Sequence, residues 1–134
     1  MLTDEITFEG VSLPVSRLDD SVSFYERLGF RTDLRNEQSH FALMRLGSGT
    51  LGLLQVGSSV LSAEAVRKMA ALVQIELSVA DLDGLHRRLV DGGIPVDVPP
   101  RDRGFERSMQ CRDPDGFTVE FAEGRRGHNR TRPT

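Results

Sequence analysis

Polar residues that could do chemistry are spaced two apart in two stretches of this chain. Gln74, Glu76 and Ser78 alternate with Ile75, Leu77 and Val79. In an extended strand the polar set shares one face and the apolar set the other. Thr118, Glu120 and Ala122 alternate in the same way with Phe117, Val119 and Phe121. Two carboxylates and an amide on such a face supply negative charge and hydrogen-bond acceptors. On the buried side of a sheet they need a partner, a ligand or water. Near the start, Val11, Leu13 and Val15 form an apolar set that leaves Gly10, Ser12 and Pro14 on the other face.

Other chemical signals have plain structural readings. Gly47-Ser48-Gly49-Thr50-Leu51-Gly52 fits a dinucleotide-loop pattern, but a strand-like run follows it rather than a helix, so it reads as a hairpin turn. Asp113-Pro114-Asp115-Gly116 begins like a calcium loop, lacks the later ligands and reads as a turn. His40 opens a strand-like run and reads as a surface histidine. His86 sits beside Arg87 and Arg88 on a helical stretch and reads as solvated. The single cysteine, Cys111, reads as a small core filler and excludes an internal disulfide or a Cys-rich zinc site. Phe105, in the polar stretch Arg101–Arg107, reads either as a ligand contact or as part of a plain surface loop.

The elements that must position these groups follow from periodicity. Residues 11–15 have strand period. Val22, Phe24, Tyr25 and Leu28 then lie at helical spacing, with Asp or Ser near residue 20 able to cap and Gly29 ending the helix. Strand-like runs follow at 30–34, 40–46 and 50–56. Gly57-Ser58-Ser59 opens a linker, and 62–71 reads as a short helix with Ser62 as cap. The second half repeats the order: a strand at 73–79, a helix from Asp81 with Leu82, Leu85 and Leu89 on one face, a stop at Gly92-Gly93, and strands at 94–98, 107–111 and 117–121. Residues 99–105 read as a polar loop.

Sliding the chain on itself by 64 residues places Leu13 on Leu77, Val15 on Val79, Leu18 on Leu82, Asp19 on Asp83 and Gly29 on Gly93. The matches fall on strand positions, helix entry and helix stop in one register, the signature of a duplication. Each half reads strand, helix, three strands. Neither buries its faces alone, so the two are expected to pack as one domain.

Composition excludes several function classes. The chain has 134 residues, 38% of them hydrophobic, and a net charge of -3, values of one globular domain. No run approaches the ~20 apolar residues of a membrane span. Met1-Leu2-Thr3-Asp4-Glu5 has no apolar leader character, so no signal peptide is read there and a cytoplasmic setting is expected. All 17 basic residues except Lys68 are arginines, and several crowd the end of the chain. That tail, residues 124–134, has no apolar residue and reads as a disordered, solvated end rather than a nucleic-acid arm. With no Trp and one Tyr, stacking platforms for single strands are scarce. Neither nucleic acid nor membrane is expected as a partner.

The duplicated strand-helix-strands order, Leu18-Asp19-Asp20-Ser21-Val22-Ser23-Phe24-Tyr25-Glu26-Arg27-Leu28-Gly29-Phe30, and the closing Asp113-Pro114-Asp115-Gly116-Phe117-Thr118-Val119-Glu120-Phe121 resemble the vicinal oxygen chelate superfamily. That group includes glyoxalase I, extradiol dioxygenases, fosfomycin-resistance enzymes and bleomycin-resistance proteins. The resemblance spans residues 8–123. It implies an α+β fold of two βαβββ modules whose curved mixed sheets surround a cavity, with module one at 8–57, a linker helix at 58–72 and module two at 73–123. It also implies a homodimer.

Carried over position by position, the family's four metal-ligand places fall on Gly10, Gln55, Gln74 and Glu120. The set has no imidazole and one carboxylate, whereas mid-row divalent metals favour imidazole and carboxylate ligands. No metal and no other cofactor is therefore expected. Without metal, Glu120 reads either as an acceptor facing a cationic or polyhydroxy ligand, or as a residue paired with a neighbouring arginine. Ser12, Gln55, Gln74, Glu76, Phe105, Thr118 and Glu120 are the candidate ligand-binding residues, and Glu120 is also the best candidate for any catalytic role. The leading reading is a small-molecule binder of the drug- or metabolite-sequestering kind. The alternatives are a metal-dependent lyase, isomerase or transferase of the glyoxalase I type, with Gln55, Gln74 and Glu120 as ligands, and a degenerate fold that serves as a partner-protein module.

Overall fold

The computed structural model describes residues 5–56 and 62–124. The Gly57-Ser58-Ser59 linker, the first four residues and all of the basic tail but Gly124 lie outside the described residues. Two compact units divide the chain, Met1–Val66 and Arg67–Thr134.

The first unit runs β1 (Gly10–Val15), α1 (Leu18–Arg27), β2 (Arg31–Asn36), β3 (Phe41–Leu46) and β4 (Gly49–Gln55). Its sheet has the order β1-β4-β3-β2, with β1 parallel to β4 and the other pairs antiparallel. Leu18, Val22 and Tyr25 recur at helical spacing, and all three are buried. Gly29 ends the helix at φ 109, a conformation glycine tolerates, and Phe30 N–H closes the turn on the Tyr25 carbonyl at 3.0 Å. The Tyr25 and Phe30 rings then meet edge to face, 5.4 Å apart. Burying a ring of that size stabilises by about 1.5–3 kcal/mol. Helix α2 (Ala63–Ala70) follows, with Ser62 Oγ accepting from Ala65 N–H as a cap.

The second unit repeats the order: β5 (Gln74–Val79), α3 (Leu82–Asp91), β6 (Val98–Asp102), β7 (Arg107–Arg112) and β8 (Thr118–Glu123). Its sheet is β5-β8-β7-β6, with β5 parallel to β8. The fold is thus α+β, two four-stranded mixed sheets each built as βαβββ, and helices α1 and α3 start 64 residues apart, as the repeat requires. Asp81 caps α3 by accepting from Gly84 N–H at 3.0 Å. The Asp113–Gly116 segment is the expected turn: Asp113 Oδ1 accepts from Asp115 N–H and Phe117 N–H, each at 2.9 Å. The glycine-rich segment at 47–52 is the β3–β4 hairpin, with Gly47 at φ 60.

Three local expectations are corrected. Residues 94–97 are not a strand, and the supposed loop at 99–105 contains β6. Pro99 and Pro100 obscured it, yet β6 is an edge strand where missing N–H donors are tolerated, and its ladder is irregular between Val98 and Arg101. No side chain of its own N-terminal segment caps α1; its N-cap residue is Arg17. Val11 is 55% exposed rather than packed, although Leu13 and Val15 are buried. No helix among the described residues is long and apolar enough to cross a membrane.

Candidate functional site

Strand register decides which side chains share a face. Glu76 on β5 is paired with Glu120 on β8, and Glu120 with Gln110 on β7. The neighbouring row is Gln74, Thr118 and Arg112. The opposite face carries Leu77, Val119 and Phe121, and it is the one that meets α3, because Glu123, of the same parity, reaches the α3 N-terminus. Gln74, Glu76, Thr118 and Glu120 are therefore together on the face turned away from α3. Gln74 and Glu76 are exposed, whereas Thr118 and Glu120 are buried.

Glu120 is 2% exposed and is one of the largest fully buried side chains. A carboxylate so placed needs a partner of opposite charge. Arg103 Nη1 donates to Glu120 Oε2 at 3.0 Å, and the same nitrogen lies 3.8 Å from a carboxylate oxygen of Glu106, also buried. Gln110 Nε2 approaches Glu120 Oε2 at 3.4 Å. The β6–β7 hairpin puts Arg103 there. Asp102 pairs with Arg107, and the turn between them is closed by Arg103 N–H on the Glu106 carbonyl at 2.8 Å, with Gly104 at φ 92. The exposed Phe105 ring lies 5.3 Å from the Arg103 guanidinium carbon, within range of a cation–π contact.

Arg103, Glu106 and Gln110 escaped the sequence reading as site residues. The signals were present: Gln110 has the parity of Ser108 in β7, and Arg103 and Glu106 flank a glycine three residues apart. Only the pairing of β7 with β8 brings them to Glu120.

The first sheet places its candidates differently. Ser12 pairs with Gly52, and 64 residues on Glu76 pairs with Glu120, so Gly52 is the counterpart of Glu120. Gln55 pairs with Val15 on the α1 side, and its Oε1 accepts from Leu18 N–H at 2.8 Å. Glu123 does the same for Leu82 N–H at 2.8 Å. Gln55 is thus a helix cap and not a group on the far face. Equating it with Glu120 was wrong by three residues, an odd number, which moves a side chain to the opposite face. Gly10 (φ 151) has no room for a side chain: a Cβ there would lie 2.1 Å from the Thr50 carbonyl oxygen.

These placements test the four family metal positions. Gly10 offers no donor, Gln55 is engaged at a helix terminus, Gln74 is an exposed amide, and Glu120 is ion-paired with Arg103. Among the described residues no three His, Cys, Asp or Glu side chains converge as a metal site. The residues present do not fit a metal centre.

The remaining titratable groups lie elsewhere. His40 is exposed and His86 half-buried on α3. Burial, then the Asp97 charge, pushes the Cys111 thiol up to about 11, so it is not a ready nucleophile. Hydrogen bonds from Arg45 and then Arg31 hold the Asp33 carboxyl below its ordinary value, and Arg107 does the same for Asp83. A shallow groove of about 490 Å³ is lined by residues including His86, Val90, Ile94 and Pro99 and shares none with the Glu120 row.

A family model described as Glyoxalase/Bleomycin resistance protein/Dioxygenase superfamily matches residues 7–121. An uncharacterized protein of Mycolicibacterium smegmatis is 28% identical over 111 residues, 83% of this chain and 88% of the relative. A putative glyoxalase from Bacillus halodurans superposes with a TM-score of 0.71 at 20% identity, covering 92% of this chain and 99% of the other. A lactoylglutathione lyase from Agrobacterium tumefaciens gives 0.67 at 18% identity, covering 88% and 93%. At such identities the structural likeness speaks for the fold alone.

Proposed function

Because the chain belongs to the glyoxalase/bleomycin resistance protein/dioxygenase superfamily, and its side chains do not fit that family's metal, we propose a metal-independent small-molecule-binding function. One observation carries this reading. A buried carboxylate, Glu120, is held by Arg103 on a sheet face whose rim carries the exposed acceptors Gln74 and Glu76. A ligand rich in hydrogen-bond donors and positive charge suits Glu76 and Gln74. The Glu120–Arg103 pair adds an acceptor and a donor already fixed in place, and Phe105 an exposed ring for stacking. Such ligands are cationic or glycopeptide-like, and holding them without reaction is sequestration. The assembly proposed with this function is a homodimer.

Thermal melting with and without cationic glycopeptides and aminoglycosides tests the reading. A ligand at 100 times its Kd stabilises the native state by about 2.7 kcal/mol. Glu120→Ala should abolish the shift, and Glu76→Gln, at an exposed position, should reduce it. A shift that survives both changes removes the site from this face, and no shift with any such compound removes the ligand class. Elemental mass spectrometry on protein purified without chelator addresses the metal-dependent lyase reading. One equivalent of transition metal per chain would restore it.

A further inference from the structure

The sheet face that carries Glu120 also holds two hydroxyls that the fold leaves unused. Thr118 and Ser108 are 7% and 2% exposed. Both turn away from α3: Thr118 has the parity of Glu120 on β8, and Ser108 pairs with Ala122, of that same parity. Neither hydroxyl has a hydrogen-bond partner among the described residues. Neither is sealed, since Ser21 Oγ alone is both enclosed and unpartnered there. A nearly buried side chain whose oxygen is open and unused is a place for water or a ligand. Beside them, Arg103 uses only Nη1 toward carboxylates, so its Nε and Nη2 stay available. The exposed Gln74 amide, opposite Thr118, has no partner among the described residues either.

We propose that this face binds an oligosaccharide of two or three rings through its hydroxyl groups, which rests on the small-molecule reading of the same face and names the ligand groups that meet it. Arg103 donates, and the two hydroxyls and the Gln74 amide both donate and accept. An ammonium group would donate only and meet the Arg103 charge. A carboxylate would accept only and meet the charges of Glu76 and Glu120. Sugar hydroxyls donate and accept, so they match the set without bringing a new charge out of water. Thr118 and Ala122 are four residues apart on β8, and Ser108 stands opposite Ala122. The two hydroxyls are then roughly 14 Å apart at strand spacing. That span exceeds one pyranose ring and suits two or three in a row. Phe105, exposed at the hairpin tip, offers a flat apolar plate for the C–H face of a ring.

The test uses the full chain, with thermal melts and saturation-transfer NMR to follow binding. Kanamycin is a cationic three-ring aminoglycoside. Its tetra-N-acetyl derivative keeps the rings and hydroxyls and carries no charge, and spermine is a cation with no hydroxyl. The N-acetyl derivative should bind with a Kd within roughly tenfold of kanamycin's, and methyl α-D-glucoside roughly tenfold or more weakly than either. Thr118→Val and Ser108→Ala should each weaken binding of the N-acetyl derivative about fivefold. Both should leave the melting temperature of the free protein unchanged or higher, because neither hydroxyl is tied into the fold. Thr118→Ser, which keeps the hydroxyl, should keep the binding. The proposal is overturned if the N-acetyl derivative does not bind: kanamycin and spermine binding alone then leaves the cationic-ligand reading standing, and silence from all of the probes counts against both. It is also overturned if the N-acetyl derivative binds wild type, Thr118→Val and Ser108→Ala alike, or if both variants melt well below wild type or fail to fold, which would make the hydroxyls structural.

Discussion

At the centre of the face turned away from its helix, the first sheet has Gly52 and the second has Glu120. The two positions are equivalent by register: Ser12 stands opposite one and Glu76 opposite the other. In the first sheet a Cβ at residue 52 would lie 2.2 Å from Ser12 Oγ and 3.1 Å from the Phe41 ring, so neighbours fill the space. In the second sheet the space holds a carboxylate, and an arginine from the adjoining hairpin balances it. One duplicated frame therefore carries a filled face and a charged face. What the duplication preserves is the other face, where a strand-end oxygen caps each helix. Gln55 serves Leu18 and Glu123 serves Leu82, both at 2.8 Å.

Gly52→Glu, which copies the second sheet into the first, should have the largest effect. It forces a bulky charge where a single Cβ already collides, and should cost 3 kcal/mol or more. Urea unfolding followed by circular dichroism measures it, and a loss below 1 kcal/mol would mean the first face has room for a side chain. Gln55→Ala should follow, losing about 1 kcal/mol through one uncapped helix start. Glu123→Ala should lose more, since it also removes one of the two carboxylates paired with Arg107, the contact at 3.1 Å, and leaves Arg107 to Asp83 alone. Equal losses would show that the Arg107 contact adds nothing.

Acid should weaken both units by the same logic. The carboxyls of Asp33 and Asp83 sit below their ordinary value, held there chiefly by Arg45 and Arg107. The folded state then binds protons less readily than the unfolded chain. Stability from these pairs is complete above the ordinary carboxylate range and lost as pH falls through the lowered folded values. Arg107→Leu and Arg45→Leu should each flatten part of the decline in urea midpoint below pH 5, and an unchanged slope would remove that pair from the account.

The smallest effect belongs to Ser21. Its hydroxyl is buried and has no hydrogen-bond partner among the described residues, whereas Leu85 stands at the same place in α3. Ser21→Ala should be neutral or stabilising by up to about 1 kcal/mol, read from the same unfolding curves. A clear destabilisation would reveal a partner for the hydroxyl.

Much of the fold was legible because its causes are local. Alternation at 74–79 and 118–122 marked strands, Leu82, Leu85 and Leu89 marked a helix face, and Gly29 and Gly93 marked stops, since backbone sterics act over a few residues. Edge strand β6 was not legible, because its prolines read as loop until its place at the sheet edge is known. Of the far face, the Gln74, Glu76, Thr118 and Glu120 set followed from parity within each strand. Gln55 was misplaced because its partner strand sets its face, and that register depends on residues 40 positions away.

The sequence by itself determined two βαβββ halves and the residues that turn from each helix, because period and turn chemistry are properties of short segments. Only the tertiary structure decided that Glu120 lies against Arg103, that Gly52, crowded by Ser12 and Phe41, is its counterpart and that Gln55 caps a helix. Those are outcomes of strand pairing, which joins distant segments through backbone hydrogen bonds that carry no mark in any one of them.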